Sequence, residues 1–160
     1  MPPDDERSNY LLVKGTLLDR IEQQPAEMHR VRGELGGEPA AAEYDQDLAG
    51  VTLGLALQGV GTDGHTASLF PDSPALEERE RRAIAVSRED VERVTMTLPV
   101  LSGASQVVFL VVGEEKAEAV ARAFAARPNP STPASLLRSA EGETIALLDR
   151  GAAAKLDNLS

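Results

Sequence analysis

Apolar positions along this chain follow two rhythms, one helical and one of short continuous runs. From Ser8, the stretch SNYLLVKGTLLDRI places Leu11, Leu12, Leu17, Leu18 and Ile21 at helical spacing, with Ser8 as the N-cap candidate and Gly15 as a weak point. GELGGEP over 33–39 reads as a loop, and AAAEYDQDLA after it as a short helix. LGLAL from Leu53 reads as a buried strand that ends in a glycine loop. After Pro71 and Pro74, ALEERERR reads as a solvated helical or loop face. Short β-prone runs follow at AIAV (83–86) and VTMTL (94–98). QVVFLVVG, 106–113, is the clearest strand, and its apolar continuity predicts cover on both faces. EEKAEAVARAFAA then predicts an amphipathic helix, acidic in its first turn, with Arg122 and Arg127 near its end. PNPSTPAS is a loop, ASLL a short helical piece, TIALLD a last strand and RGAAAKL a terminal helix.

Strands alternating with helices predict an α/β fold built on a largely parallel sheet with helices on both faces. Ligands in such folds bind at the carboxyl ends of strands. Three segments leave such ends: 59–66, the region after Leu98, and Gly113 to Lys116. They are expected to converge on one site. The 160 residues suit one domain, with 1–7 as a linker-like start and 8–156 as the α/β body.

Composition narrows the picture. The chain is 42% hydrophobic but only 3% aromatic, so its core rests on Leu, Val, Ile and Ala. It has no cysteine, hence no disulfide framework and no thiolate metal site. No run approaches the roughly 20 apolar residues of a membrane span, and the polar, acidic first ten residues do not resemble a secretory signal. A cytoplasmic protein without membrane contact is expected. The net charge of −10 argues against a nucleic-acid partner, which needs a basic face. It leaves room for a small anion held by one or two cations, for which Arg93 and Lys116 are the candidates.

Gly59, Gly61 and Gly64 fall at the G-x-G-x-x-G spacing directly after LGLAL. A dinucleotide loop also requires a helix opening there and an acid at the end of the next strand. Here HTASLFPDSP follows, whose two prolines prevent a long helix, and the acids about 20 residues on lie in a charged run. The glycines therefore point elsewhere, to His65 beside them. At a strand end, glycines permit unusual dihedrals and free N–H groups for a ligand. A histidine held there suits a general base for water, with Asp63 orienting its ring. The alternative is that His65 merely caps the turn through the backbone. His29 and His65 lack the spacing of zinc ligands, and HTAS around Ser68 is not a nucleophile elbow.

The segments SNYLLVKGTLLDRI, GVGTDGHTASLFPDSPAL, RVTMTLPVL, FLVVGEEKAEAV and LLDRGAAAKL, in this order, resemble the 6-phosphogluconolactonases. The resemblance runs from about Pro2 to Leu156 and centres on GTDGHTASLFP. The related glucosamine-6-phosphate deaminases share the G-x-D-G-H core but continue with an acid-bearing stretch where this chain has LFP. The resemblance implies a Rossmann-like fold, no cofactor and no metal, and hydrolysis of 6-phosphoglucono-δ-lactone to 6-phosphogluconate in the oxidative pentose phosphate pathway. It further implies His65 as the base for water, supported by Asp63, with N–H groups of the loop steadying the oxyanion. Gly61, Gly64 and Thr66 would line the substrate, and Arg93 and Lys116 would hold its phosphate.

Family members are longer at the N-terminus, where they carry a phosphate loop resembling SGGSTP and the first strands of the sheet. The chain is expected to begin inside the linker that follows, so that 1–160 forms a partial lactonase-like domain missing those strands. Gly54 and Gln58 also depart from the family, which has an acid and an apolar residue there. A buried glutamine costs on the order of 1–3 kcal/mol unless hydrogen-bonded. The open sheet edge predicts marginal stability or self-association. A sugar-phosphate-binding chain without catalysis, or a deaminase-like isomerase, are the alternatives.

Overall fold

The computed structural model describes residues 1–88 and 91–156. Its contacts divide the chain into two compact units, Met1–Ala49 with Ala83–Val94, and Gly50–Arg82 with Thr95–Ser160.

In the first unit, helix α1 (Asn9–Thr16) starts where its cap predicts, with Ser8 Oγ accepting the Leu11 N–H at 3.4 Å. It ends at Leu17, short of the full apolar run, and buries none of its residues. Helix α2 (Gly37–Asp47) begins at Gly37 rather than at Ala40, so the loop of 33–39 is shorter than the sequence suggests. Pro39 falls in the first turn, where a missing N–H costs no intrahelical bond. The Glu92 carboxylate accepts the Gly37 N–H at 3.0 Å, and Gly36 turns the chain into the helix with φ +88°. Ala40 and Ala41 form the buried stripe of α2, which packs against strand β2 (Ala83–Arg88). Asp45 accepts the Ala83 N–H at 3.2 Å. Strand β3 (Val91–Met96) pairs with β2 in a two-stranded sheet of their own. The runs AIAV and VTMTL are thus strands, but outside the parallel sheet.

That sheet lies in the second unit. Strands β1 (Leu55–Gln58), β4 (Gln106–Val111) and β5 (Glu143–Leu148) are parallel, in the order β1-β4-β5. Helix α3 (Leu98–Ser102) precedes β4, and Thr97 before it anchors its hydroxyl on the Arg81 carbonyl at 2.9 Å. Helix α4 (Ala117–Ala123) follows β4 after a 3-10 turn at Glu114–Lys116. Phe124 at its end meets Phe109 of β4 edge-on, ring centroids 5.5 Å apart. Arg138 lies over Phe124 and donates to the carbonyls of Ala123, Ala134 and Leu137; burial pushes its guanidinium pKa down. RGAAAKL forms consecutive turns rather than a helix, with Ala154 N–H on Gly151 O at 3.2 Å. Ala152 within it is fully buried.

The register sets Ala56 beside Val107, and Gln58 beside Phe109 and Ala146, on one side of the sheet. Leu57, Val108 and Ile145 form a row on the other side, followed by Leu110 and Leu147. Val107, Phe109 and Val111 are buried, whereas Leu110 and the following Val112 are exposed. The expectation that the 106–113 strand is covered on both faces is therefore corrected: β4 is buried on one face, in a period of two.

Candidate active site

β1 ends at Gln58, and the chain leaves the carboxyl edge of the sheet through residues 59–66. The three glycines there differ in role. Gly59 has open space where a side chain would begin. Gly61 lies beneath the His65 ring, so a Cβ there would overlap the imidazole and stand 2.7 Å from Asp63 Oδ1. Gly64 has φ +92°, and its Cβ would come within 2.8 Å of Thr132 Cγ2.

The loop closes on itself. Gly61 N–H donates to His65 O at 2.8 Å, and Gly64 N–H to Gly61 O at 2.9 Å. Asp63 Oδ1 accepts the His65 backbone N–H at 3.1 Å and lies 2.6 Å from His65 Nδ1. The ring nitrogen therefore bonds a carboxylate rather than the backbone, which is how an imidazole is oriented for proton transfer. With Nδ1 engaged, Nε2 is the nitrogen left for a reacting proton. Phe70 supports the ring, centroids 5.0 Å apart at 51°. About a third of each side chain, 34% of His65 and 31% of Asp63, remains exposed.

Neighbouring elements hold the loop from outside. Arg122 of α4 donates to Thr62 O at 3.3 Å, and Ala134 N–H to Gly64 O at 3.0 Å. Ser68 N–H donates to Thr95 Oγ1 at 3.2 Å. Thr66, almost wholly buried, donates its hydroxyl to Gln58 Oε1 at 3.1 Å. The glutamine that looked costly in a buried strand thus has its partner.

The expectation that loop N–H groups face a ligand is corrected for Gly61, Gly64 and His65, whose amides are engaged inside the loop. Gly61 and Gly64 shape the turn, and the Thr66 hydroxyl ties it to β1. Lys116 ends the turn after β4, half-buried and without an ion pair among the described residues. Because β1 and β4 are parallel neighbours, Lys116 and the His65 loop leave the same edge of the sheet. Asp149, after β5, secures that turn by accepting the N–H groups of Gly113 at 3.2 Å and Ala152 at 2.7 Å. Gly113 itself has φ +111°. Arg93 lies exposed on β3, in the first unit. The region after Leu98 begins helix α3 and does not leave a strand of the parallel sheet. Among the described residues no group of three His, Cys, Asp or Glu side chains is placed to hold a metal ion.

Several contributors escape a sequence reading. Arg122, Thr95 and the 132–134 segment reach the loop only through tertiary contacts. Gln58 alone signals itself, as a polar residue closing an apolar strand.

Residues 1–146 match the family model described as glucosamine-6-phosphate isomerases/6-phosphogluconolactonase. The chain is 36% identical over 163 residues to the human 6-phosphogluconolactonase, covering 96% of this chain and 63% of the relative. It is 35% identical to the 6-phosphogluconolactonase of a Nostoc species, over 96% of this chain and 68% of that one. Among solved structures, the devB protein superposes with a TM-score of 0.84 at 33% identity, covering 98% of this chain and 70% of that chain. A monomeric glucosamine-6-phosphate deaminase shares the fold, with a TM-score of 0.82 at 21% identity. The chain thus has the Rossmann-like α/β fold of these neighbours and spans about two thirds of their length.

Proposed function

The chain belongs to the glucosamine-6-phosphate isomerase/6-phosphogluconolactonase family, and on that premise we propose that it serves the hydrolysis of 6-phosphoglucono-δ-lactone to 6-phosphogluconate. The observation that carries this reading is the 2.6 Å contact between Asp63 Oδ1 and His65 Nδ1 in a loop whose glycine leaves room for the ring. Asp63 holds the tautomer with its proton on Nδ1. Nε2 takes a proton from water as the water oxygen bonds to the lactone carbonyl carbon. The tetrahedral intermediate collapses by breaking the bond to the ring oxygen, and His65 returns the proton to that oxygen. The product carboxylic acid then ionises. A reactive cyclic ester needs little more than a positioned base and a polarising donor. Lys116, at the sheet edge that the His65 loop also leaves, is the cation we assign to the phosphate. The site of action we assign is the cytoplasm, and the partner we assign is the sugar-phosphate lactone.

The residues after the histidine favour this over a deaminase-like reaction, since LFP offers no acid where the deaminases carry one. The test is lactone hydrolysis measured against the spontaneous rate, with His65→Ala and Asp63→Asn beside the wild type. Loss of His65 is expected to remove about 10²–10⁴-fold of the catalysis, and Asp63→Asn less. Equal rates for wild type and His65→Ala would sink the proposal and leave binding without catalysis.

A further inference from the structure

His65 sits in a stretch of strained backbone. Among the described residues, the non-glycine residues with positive φ are Ala67, at +50°, and Asp72, at +55°, and both follow His65 in one segment. With Gly64 at +92°, residues 64–72 carry three left-handed positions. That conformation disfavours a residue with a Cβ, so at Ala67 and Asp72 the surroundings must impose it.

One distant loop, 129–135, grips this segment at both ends. At the first end Thr132 Cγ2 stands where a Cβ on Gly64 would meet it at 2.8 Å, and the Ala134 N–H donates to Gly64 O at 3.0 Å. At the far end the Ser131 hydroxyl donates to the Asp72 carboxylate at 3.1 Å, and the Asp72 N–H to Pro130 O at 3.3 Å. The loop is stiff in itself. Pro130 and Pro133 fix φ within it. Asn129 Oδ1 accepts the Ser131 N–H at 2.9 Å, and the buried Ser135 Oγ accepts the Asn129 N–H at 2.7 Å.

Gly64 stands between Asp63 and His65, so its torsions decide whether their side chains meet. Asp63 Oδ1 accepts the His65 N–H at 3.1 Å and lies 2.6 Å from Nδ1, so a rotation at Gly64 loses both contacts. Thr132 closes the space into which the Gly64 backbone would turn. Ala134, through the Gly64 carbonyl, fixes the plane of the peptide that leads into His65.

We propose that the 129–135 loop is a brace that keeps His65 on Asp63, with Thr132 and Ser131 as positioning residues for proton transfer. This role assumes His65 as the base for water, whereas the first readout does not. That readout is the Nδ1–H signal of His65 in proton NMR of the full 160-residue protein, assigned by its loss in His65→Gln. Thr132→Ser removes the methyl group; it should broaden the signal by exchange with water and lower kcat about tenfold, with KM within about twofold. Thr132→Val, which keeps the methyl group, should restore both. Ser131→Ala, at an exposed side chain, should act in the same direction by about threefold in kcat, and it decides the matter where Thr132→Ser does not fold. Absence of the signal in the wild type overturns the brace, as does a signal that Thr132→Ser and Ser131→Ala both leave unchanged. An equal loss in Thr132→Val and Thr132→Ser overturns it too. A signal that the variants weaken in a protein that hydrolyses no lactone supports the brace and sinks the lactonase reading alone.

Discussion

The covered and the open face of the parallel sheet differ in the opposite sense to the one hydrophobicity would suggest. The covered side presents Ala56, Gln58, Val107, Phe109 and Val111, including a glutamine and an alanine. The open side presents Leu55, Leu57, Val108, Leu110, Ile145 and Leu147, larger and more uniformly apolar. Residue type along a strand says that a face wants cover; it does not say which face receives it. The covered side receives α4 with Phe124 against Phe109 and also leads, through Gln58, into the His65 loop. The chemistry is thus built on the face with fewer apolar atoms, where small residues leave space for packing and a polar one finds a partner.

The sharpest way to break this contrast is to truncate matched residues on the two sides. Phe109→Ala should cost about 3–5 kcal/mol by removing a fully buried ring. Leu110→Ala, next in sequence, should stay within about 0.5 kcal/mol, as surface changes do. Urea unfolding of both variants checks the pair, and equal losses would mean that the open face is covered in solution.

A smaller effect is expected at the polar residue of the covered side. Gln58→Leu leaves the buried Thr66 hydroxyl without its acceptor, a loss of about 1–3 kcal/mol. Adding Thr66→Val should recover most of it, because no polar group is then left unpaired. If the double variant is no more stable than the single one, the Gln58–Thr66 bond does not hold the loop.

The smallest expected effect lies outside the sheet. Glu78 is held at about 2, well below its usual range, by the backbone N–H groups of Glu80 and Arg81 and by the Arg81 guanidinium. Glu34, at about 2, owes the same to Arg30. A carboxylate with a depressed folded pKa stabilises fully above its unfolded value of about 4.5 and loses that contribution as pH falls through about 2. Glu34 is exposed and Glu78 only half-buried, so the slope is shallow. Thermal unfolding between pH 5 and pH 2 should fall less steeply for Glu78→Gln than for the wild type, and an unchanged slope would refute the assignment.

Much of the fold is legible from local chemistry. Ser8 caps α1 because its hydroxyl reaches an amide of the first turn, a contact confined to four residues. The strands at 55–58, 106–111 and 143–148 follow from apolar runs bounded by turn residues. Boundaries were less legible where proline and glycine act together, as at Gly37, and at 150–156, where the chain forms turns around a buried Ala152. Within the candidate site, Asp63 and His65 stand two residues apart, so their pairing is a local event. The glycine pattern around them was legible as a turn, but the separate tasks of Gly61 and Gly64 were not. One is dictated by the ring lying over it, the other by Thr132 from a distant loop.

The sequence by itself determined the α/β class, the parallel strands, the turn that pairs Asp63 with His65, and membership of the family through GTDGHTASLFP. These rest on interactions between near neighbours or on periodicity, which a linear pattern contains. Only the tertiary structure decided which face of the sheet is covered, that Gln58 meets Thr66, and that Arg122 and Ala134 grip the loop. It also moved β2 and β3 out of the parallel sheet and with them Arg93. Each of these depends on which distant elements meet, and burial is a property of the neighbours a residue acquires rather than of the residue.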